Sequence, residues 1–437
     1  MSTQSPQWIA TARLLRRTGF GTTGAKVDAV VGQDWSRYLD GLLDADPETD
    51  PGAVATPMPP LTPVPPYPSG DATKEAMDRW NRTVDDQMLW LADWWLSRMI
   101  SVHEPIHEKL TWLWHNHFAT SAAKVRFAVY MGAQNEKLRR MKLGDFREFA
   151  YAMLTDAAML SWLDGKDNVA ASPNENLSRE FMELFALGHG SGYTEHDVRE
   201  GARALSGWMT DDVGRSSVRP DRHDSADKTV LGVTGSLDAA AFCDAVLGHP
   251  ASATHIVARL WQQLASDASP SSATLARLID AYGPNRDLKA LTKAILLDPE
   301  FVSGASIITP AEWLIGVIRT LSIPVDSPEV AYAIDGLLTG LGQRPFYPPD
   351  VSGWPRGRVW VSTASITTQA WAATELAKRG NLSTVESAPI ADRVDAVGYF
   401  IGVGAWSDRS AAALKPYLGN PAALFTAAVN APEYLTA

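Results

Sequence analysis

Residues 72–100 constrain the fold most. Met88, Leu91, Trp95 and Met99 recur at helical spacing, with Trp90 and Trp94 beside them. One long helix is therefore apolar over a broad arc and has to be central, covered from several sides. Helical periodicity also runs through 7–17, 24–43, 103–120, 122–165 and 236–324, and returns in 364–380 and 390–436. The expected fold is mainly α: a large multi-helix single-chain domain with long irregular loops and few or no strands. Residues 1–235 are expected to form a helical core carrying the functional site, with 236–437 a helical half packed on it as one continuous domain. No fixed period recurs, so a solenoid is disfavoured.

Composition narrows the function classes. The net charge is −11 and no basic run is interleaved with aromatics, which argues against nucleic-acid binding. The one cysteine, Cys243, lies in the apolar segment AAAFCDAVLG. It rules out an internal disulfide and a Cys-based zinc site, and reads as a buried, inert thiol.

Three stretches interrupt the helices. Residues 46–70 hold nine prolines, through which no helix should pass, and read as an extended arm lying over the surface. Residues 210–232 lose periodicity, with a brief strand expected at 231–235. Residues 342–363 are irregular yet apolar and must pack against something. Within them, Trp354 and Tyr347 fit either a sugar-stacking platform or, the favoured reading, a plug for the core.

The chemistry concentrates in 172–208. Leu177, Phe181, Leu184 and Phe185 share one side of a helix; Asn176, Arg179, Glu180 and Glu183 share another. Pro173 suits the opening turn and Gly188 the left-handed position after the last turn. Thr194 and Asp197 form a capping box for a second helix, which Trp208 closes. Glu180 and Glu183 stand one turn apart beside Arg179. If buried, one of them gains a raised pKa suited to a general acid. The bland alternative is a solvated face with an Arg179–Glu183 pair. Arg13, Arg16 and Arg17 likewise read first as a solvated basic face.

Residues 103–107 match HExxH, but Pro105 would sit mid-helix between the histidines, which excludes the metalloprotease reading. His115 and His117 point about 200° apart on a helix. His117 falls with Ile106, Leu110, Leu113 and Trp114; His115 falls with Glu108 and Thr111. A buried imidazole needs a partner, and Glu180 or Glu183 is the expected one for His117. Asn174, Asn176, Arg179, Asp197, Trp208, His223, Asp224 and Trp354 are the expected substrate-binding residues, with Glu180, Glu183, His117 and His115 catalytic.

Residues 174–187 (NENLSREFMELFAL), with GYTEHDV and ALSGW after them, resemble the bacterial "domain of unknown function 1800" family. So do RLLRRTGFG at 13–21, EKLTWLWHNHFAT at 108–120, RHDSADKTVLG at 222–232 and GQRPFYPPDVSGWPRGRVWVST at 342–363. The resemblance implies no settled activity. It does imply a partner, because many members are encoded beside a protein of the "domain of unknown function 1501" family, itself similar to sulfatases and phosphatases. It also implies export for many members. Here the opening residues lack an apolar run of seven, and no stretch approaches membrane-span length, so the direct reading is cytoplasmic. Two functions compete. One is a hydrolase-like or ligand-binding site acting on a glycan or related polymer. The other is a non-catalytic helical scaffold for the partner. Neither a metal nor a cofactor is specified by the sequence.

Overall fold

The computed structural model describes residues 3–325 and 327–436. Helices hold 61% of the chain and strands 4%, in two small hairpins, so the fold is mainly helical as expected. No helix among the described residues is long and apolar enough to cross a membrane.

The long helix runs Lys74–Ser101, started by Thr73, whose side chain accepts the Ala76 N–H. Met88, Leu91, Trp95 and Met99 are buried as the spacing requires, and Trp94 with them; Trp90, at 58% exposure, marks the uncovered side. Helices Ile106–His117, Ala128–Met141, Pro310–Thr320 and Pro328–Gly340 pack against it.

The second organising element is helix Ile106–His117, of which every residue is buried. Pro105 stands immediately before it and His103 lies outside, so the two histidines of the HExxH string do not share a helical face. The helix joins two aromatic-rich clusters. Leu110, Leu113 and Trp114 enter one with Phe118, Phe146, Phe149, Phe181 and Phe185. Trp112 enters the other with Trp95, Trp313 and Trp354. Each such side chain contributes about 1.5–3 kcal/mol by leaving water, before conformational entropy is counted. The first cluster draws on residues from Leu14 to Phe301 and the second from Phe20 to Tyr434, so neither belongs to one end of the chain.

The proline-rich arm corrects one expectation. Short helical turns do form at Pro47–Thr49 and Pro51–Ala55, each with its proline in the first turn, where a missing N–H removes no bond. Beyond Pro57 the chain is extended and straps the long helix. Trp94 Nε1 donates to Thr56 O (2.9 Å), Gln87 Nε2 to Thr62 Oγ1 (2.7 Å) and Trp80 Nε1 to Pro65 O (3.1 Å).

The basic face at the start of the chain is not solvated. Arg13 donates to the carbonyls of Val302 and Gly304, and Arg16 to those of Glu433 and Tyr434, while Arg17 is buried. These arginines clamp helix Pro6–Arg17 to backbone far along the chain. Hairpin Lys228–Val230/Val233–Gly235 falls near the expected strand. Hairpin Trp208–Thr210/Ser216–Val218 was not foreseen, since three-residue strands are too short for alternation to register.

Candidate functional site

The Asn176–Glu180 helix opens into a wider turn over Phe181–Ala186, where the Leu187 N–H reaches back five residues to Met182 O (2.9 Å). Turns of this kind recur at functional sites. Gly188 ends it with φ +88, the left-handed position expected. A Cβ there would lie 2.9 Å from His255 Nδ1, so both backbone and space require glycine.

The last carbonyls of this segment have no helical partner and carry the negative end of the dipole. Two imidazoles satisfy them. His117 Nε2 lies 3.1 Å from Phe185 O, and His255 Nε2, on helix Ala251–Leu264, 2.9 Å from Leu184 O. A carbonyl only accepts, so both Nε2 atoms carry the proton and both Nδ1 atoms present a lone pair. His117 Nδ1 is buried with no partner. Burial, then the nearby Arg259 and His255, holds the His117 pKa well below its usual value. His117 is therefore neutral at physiological pH, a hydrogen-bond acceptor but a weak base.

His117, Glu183, His189, His255, Arg259 and Ser352 line a hollow of 270 Å³ at this junction. Arg259 forms no ion pair with a carboxylate among the described residues. Its hydrogen bond is a long one, 3.4 Å from Nη2 to Ser352 O. Burial, then Arg356, lowers its pKa to about 10, so it remains a cation at neutral pH. Glu183 pairs with His189, and its side chain is 21% exposed.

The structure thus brings Glu183 and His117 to one hollow, although the imidazole bonds a carbonyl and not a carboxylate. Glu180 is outside the wall. Burial first, and then the Glu183 carboxylate, raise its pKa, against Arg179 and His189. The Arg179–Glu183 pair of the solvated-face alternative is absent: Arg179 bonds Glu175 (2.9 Å) and Glu195 (2.7 Å).

The remaining expected site residues serve the framework. His115 Nε2 accepts the Phe346 N–H (3.2 Å), and burial lowers its pKa to about 3. Asn116 Oδ1 accepts the Trp354 N–H (2.6 Å), and Trp354 stacks on Trp112 with centroids 5.0 Å apart. At 2% exposure Trp354 plugs the core and has no face left for a sugar. Asn174 Oδ1 accepts the Asn176 N–H (3.0 Å), and Asn174 itself donates to Asn168, ordering the turn before the helix. Asp197 closes the capping box and accepts the Leu231 N–H (2.7 Å). Asp224 accepts from Arg203 Nε (2.7 Å), His223 Nδ1 faces Ser206 O (2.9 Å), and Trp208 pairs with Val218 in the first hairpin. None of these residues lines the hollow.

His255, Arg259, His189 and Ser352 escaped sequence reasoning. For the first two a signal existed, since a histidine and an arginine four apart share a helix face. Among the described residues no group of three or more His, Cys, Asp or Glu is placed to hold a metal.

Fold and site together define a mainly helical protein with a polar hollow at the carbonyl end of a short helix. The chain belongs to the family described as protein of unknown function (DUF1800), whose profile matches residues 13–436. No curated protein and no solved structure matches it.

Proposed function

We propose that this protein binds a small polar molecule bearing a carboxylate and hydroxyl groups in the hollow between Glu183, His117 and Arg259. One observation carries the reading: a guanidinium with no carboxylate partner among the described residues and a partnerless buried Nδ1 lone pair share a space that a ligand can enter. Arg259 is half-buried, where a guanidinium is incompletely hydrated, and a carboxylate meeting it forms charge-assisted, bidentate bonds. A ligand hydroxyl donates to His117 Nδ1, and others to Glu183.

The 270 Å³ volume lies at the small end of ligand pockets, which favours a hydroxy acid or a single sugar acid over a polymer chain. It also weighs against glycoside hydrolysis, which requires two carboxylates flanking the bond, because Glu180 is outside the wall. A proton-abstracting step in this hollow would use Glu183, since His117 is too weak a base.

Calorimetric titration with D-galacturonate and D-galactose tests the reading. Saturable binding of the acid, not of the neutral sugar, is expected. Arg259→Gln should weaken it at least tenfold. Equal behaviour of the two sugars, or an Arg259→Gln protein that binds the acid unchanged, sinks the proposal.

A further inference from the structure

A larger cavity, 420 Å³, lies elsewhere and shares no lining residue with the polar hollow. It opens where the turn after helix Pro6–Arg17 meets the end of the long helix and helix Pro310–Thr320. Phe20, Leu42, Ile100, Ile106, Ile318 and Ile323 give it apolar walls. At one wall Gly21, with φ +77, approaches Gly316 so closely that a Cβ would stand 3.1 Å from its Cα. This wall is backbone against backbone and cannot collapse inward by a rotamer change.

Two of its cations are already engaged. Arg319 Nη1 donates to the carbonyls of Met99 (3.1 Å), Ile100 (2.7 Å) and Val102 (2.7 Å), capping the long helix. Lys26 pairs with Glu104. Two hydroxyls in the lining, Tyr38 OH and Thr22 Oγ1, are buried with no hydrogen-bond partner. Buried polar atoms usually have one.

We infer that this cavity is a second ligand site, for an uncharged, mainly apolar ring compound carrying a hydroxyl or carbonyl group: an aromatic or alicyclic alcohol, phenol or ketone. The apolar walls take the ring, and Tyr38 and Thr22 take its polar group. An anionic ligand would have to compete with the helix-end carbonyls for Arg319 and with Glu104 for Lys26. The volume lies within the usual range for small-molecule sites. Burial raises the Tyr38 pKa, which keeps its hydroxyl a donor at any working pH.

The test uses 2-naphthol and naphthalene-2-sulfonate, the same ring system without and with a charge, titrated by fluorescence against the full chain. Saturable one-to-one binding of 2-naphthol is expected, with the sulfonate at least tenfold weaker. Tyr38→Phe should weaken 2-naphthol about threefold to tenfold, the size of one hydrogen bond. Ile323→Trp, at a half-buried loop position, should fill the cavity and abolish binding while leaving the galacturonate titration unchanged. If that variant does not fold, Ser101→Phe fills the same space from the helix end. No saturable binding, equal binding of the sulfonate, or 2-naphthol binding untouched in a folded cavity-filled variant each overturns the inference.

Discussion

Helix Ile106–His117 carries a polar cluster at each end, and the two are built to opposite standards. Near its start, Glu108 is 1% exposed and accepts from Arg98 Nε (2.7 Å), Arg139 Nε (2.9 Å) and Nη2 (3.0 Å), and Trp95 Nε1 (2.8 Å). Arg98 also reaches Glu48 (2.6 Å), and Arg139 reaches Glu136 (2.8 Å). Burial alone would raise the Glu108 pKa, but Arg139 and Arg98 outweigh it and hold it at about 2. At the far end, His117 leaves one nitrogen partnerless and Arg259 has no carboxylate. A completed network rigidifies a core. An incomplete one beside open space is poised to receive something. Polar groups drawn into this molecule therefore have two meanings, and satisfaction of the partners separates them.

The largest expected effect is on acid stability. Burial lowers the pKa of His107 to about 4 and of His115 to about 3, and holds that of His117 well below its usual value. Below pH ~6.5 the unfolded chain protonates these rings and the folded chain does not, so stability falls as pH falls. At pH 5 His107 and His115 each cost on the order of 2 kcal/mol, which chemical denaturation from pH 7 to 5 should reveal. Glu108 contributes stability above its unfolded pKa, lost only as pH falls toward 2. A loss confined below pH 4 would thus shift the acid response from the histidines to the carboxylate cluster.

Glu108→Gln should follow, with a loss of about 3–5 kcal/mol in urea unfolding, because two buried guanidiniums lose the buried counter-charge they share and keep only the more exposed Glu48 and Glu136. A loss below ~1 kcal/mol would erase the contrast between the clusters. Gly188→Ala should cost about 1–3 kcal/mol from strained backbone and displacement of His255, and should weaken galacturonate binding as well. Smallest is Arg259→Gln without ligand: removing a cation that has no carboxylate partner and one long hydrogen bond should leave the melting temperature unchanged or slightly higher. A clear fall would make Arg259 a structural residue like Arg98.

Much of the fold was legible because apolar spacing reports burial directly. The long helix, Gly188 as terminator, the Thr194–Asp197 capping box and the exclusion of HExxH all follow from local rules. The site was only partly legible. Glu183 and His117 could be named from sequence, but their cavity partners His255 and Arg259 arrive from a helix far along the chain, where only their four-residue spacing marks them. His115 was assigned to a polar face with Glu108 and Thr111, yet all three are buried. Face arguments assume a helix with one side in water, and this helix has none. A charged residue inside a core looks the same in sequence as one outside until its partner is located, and Arg98, Arg139 and Glu108 come from three separate helices.

The enclosure of that helix has a consequence for variation. From Ile106 to Ala122 every residue is buried, charged and polar ones included. Such a stretch offers no outward position where drift is free. In a saturation library its lysine, glutamate and histidines should prove as intolerant as its tryptophans, and an inserted tag or label would find no harmless place along it.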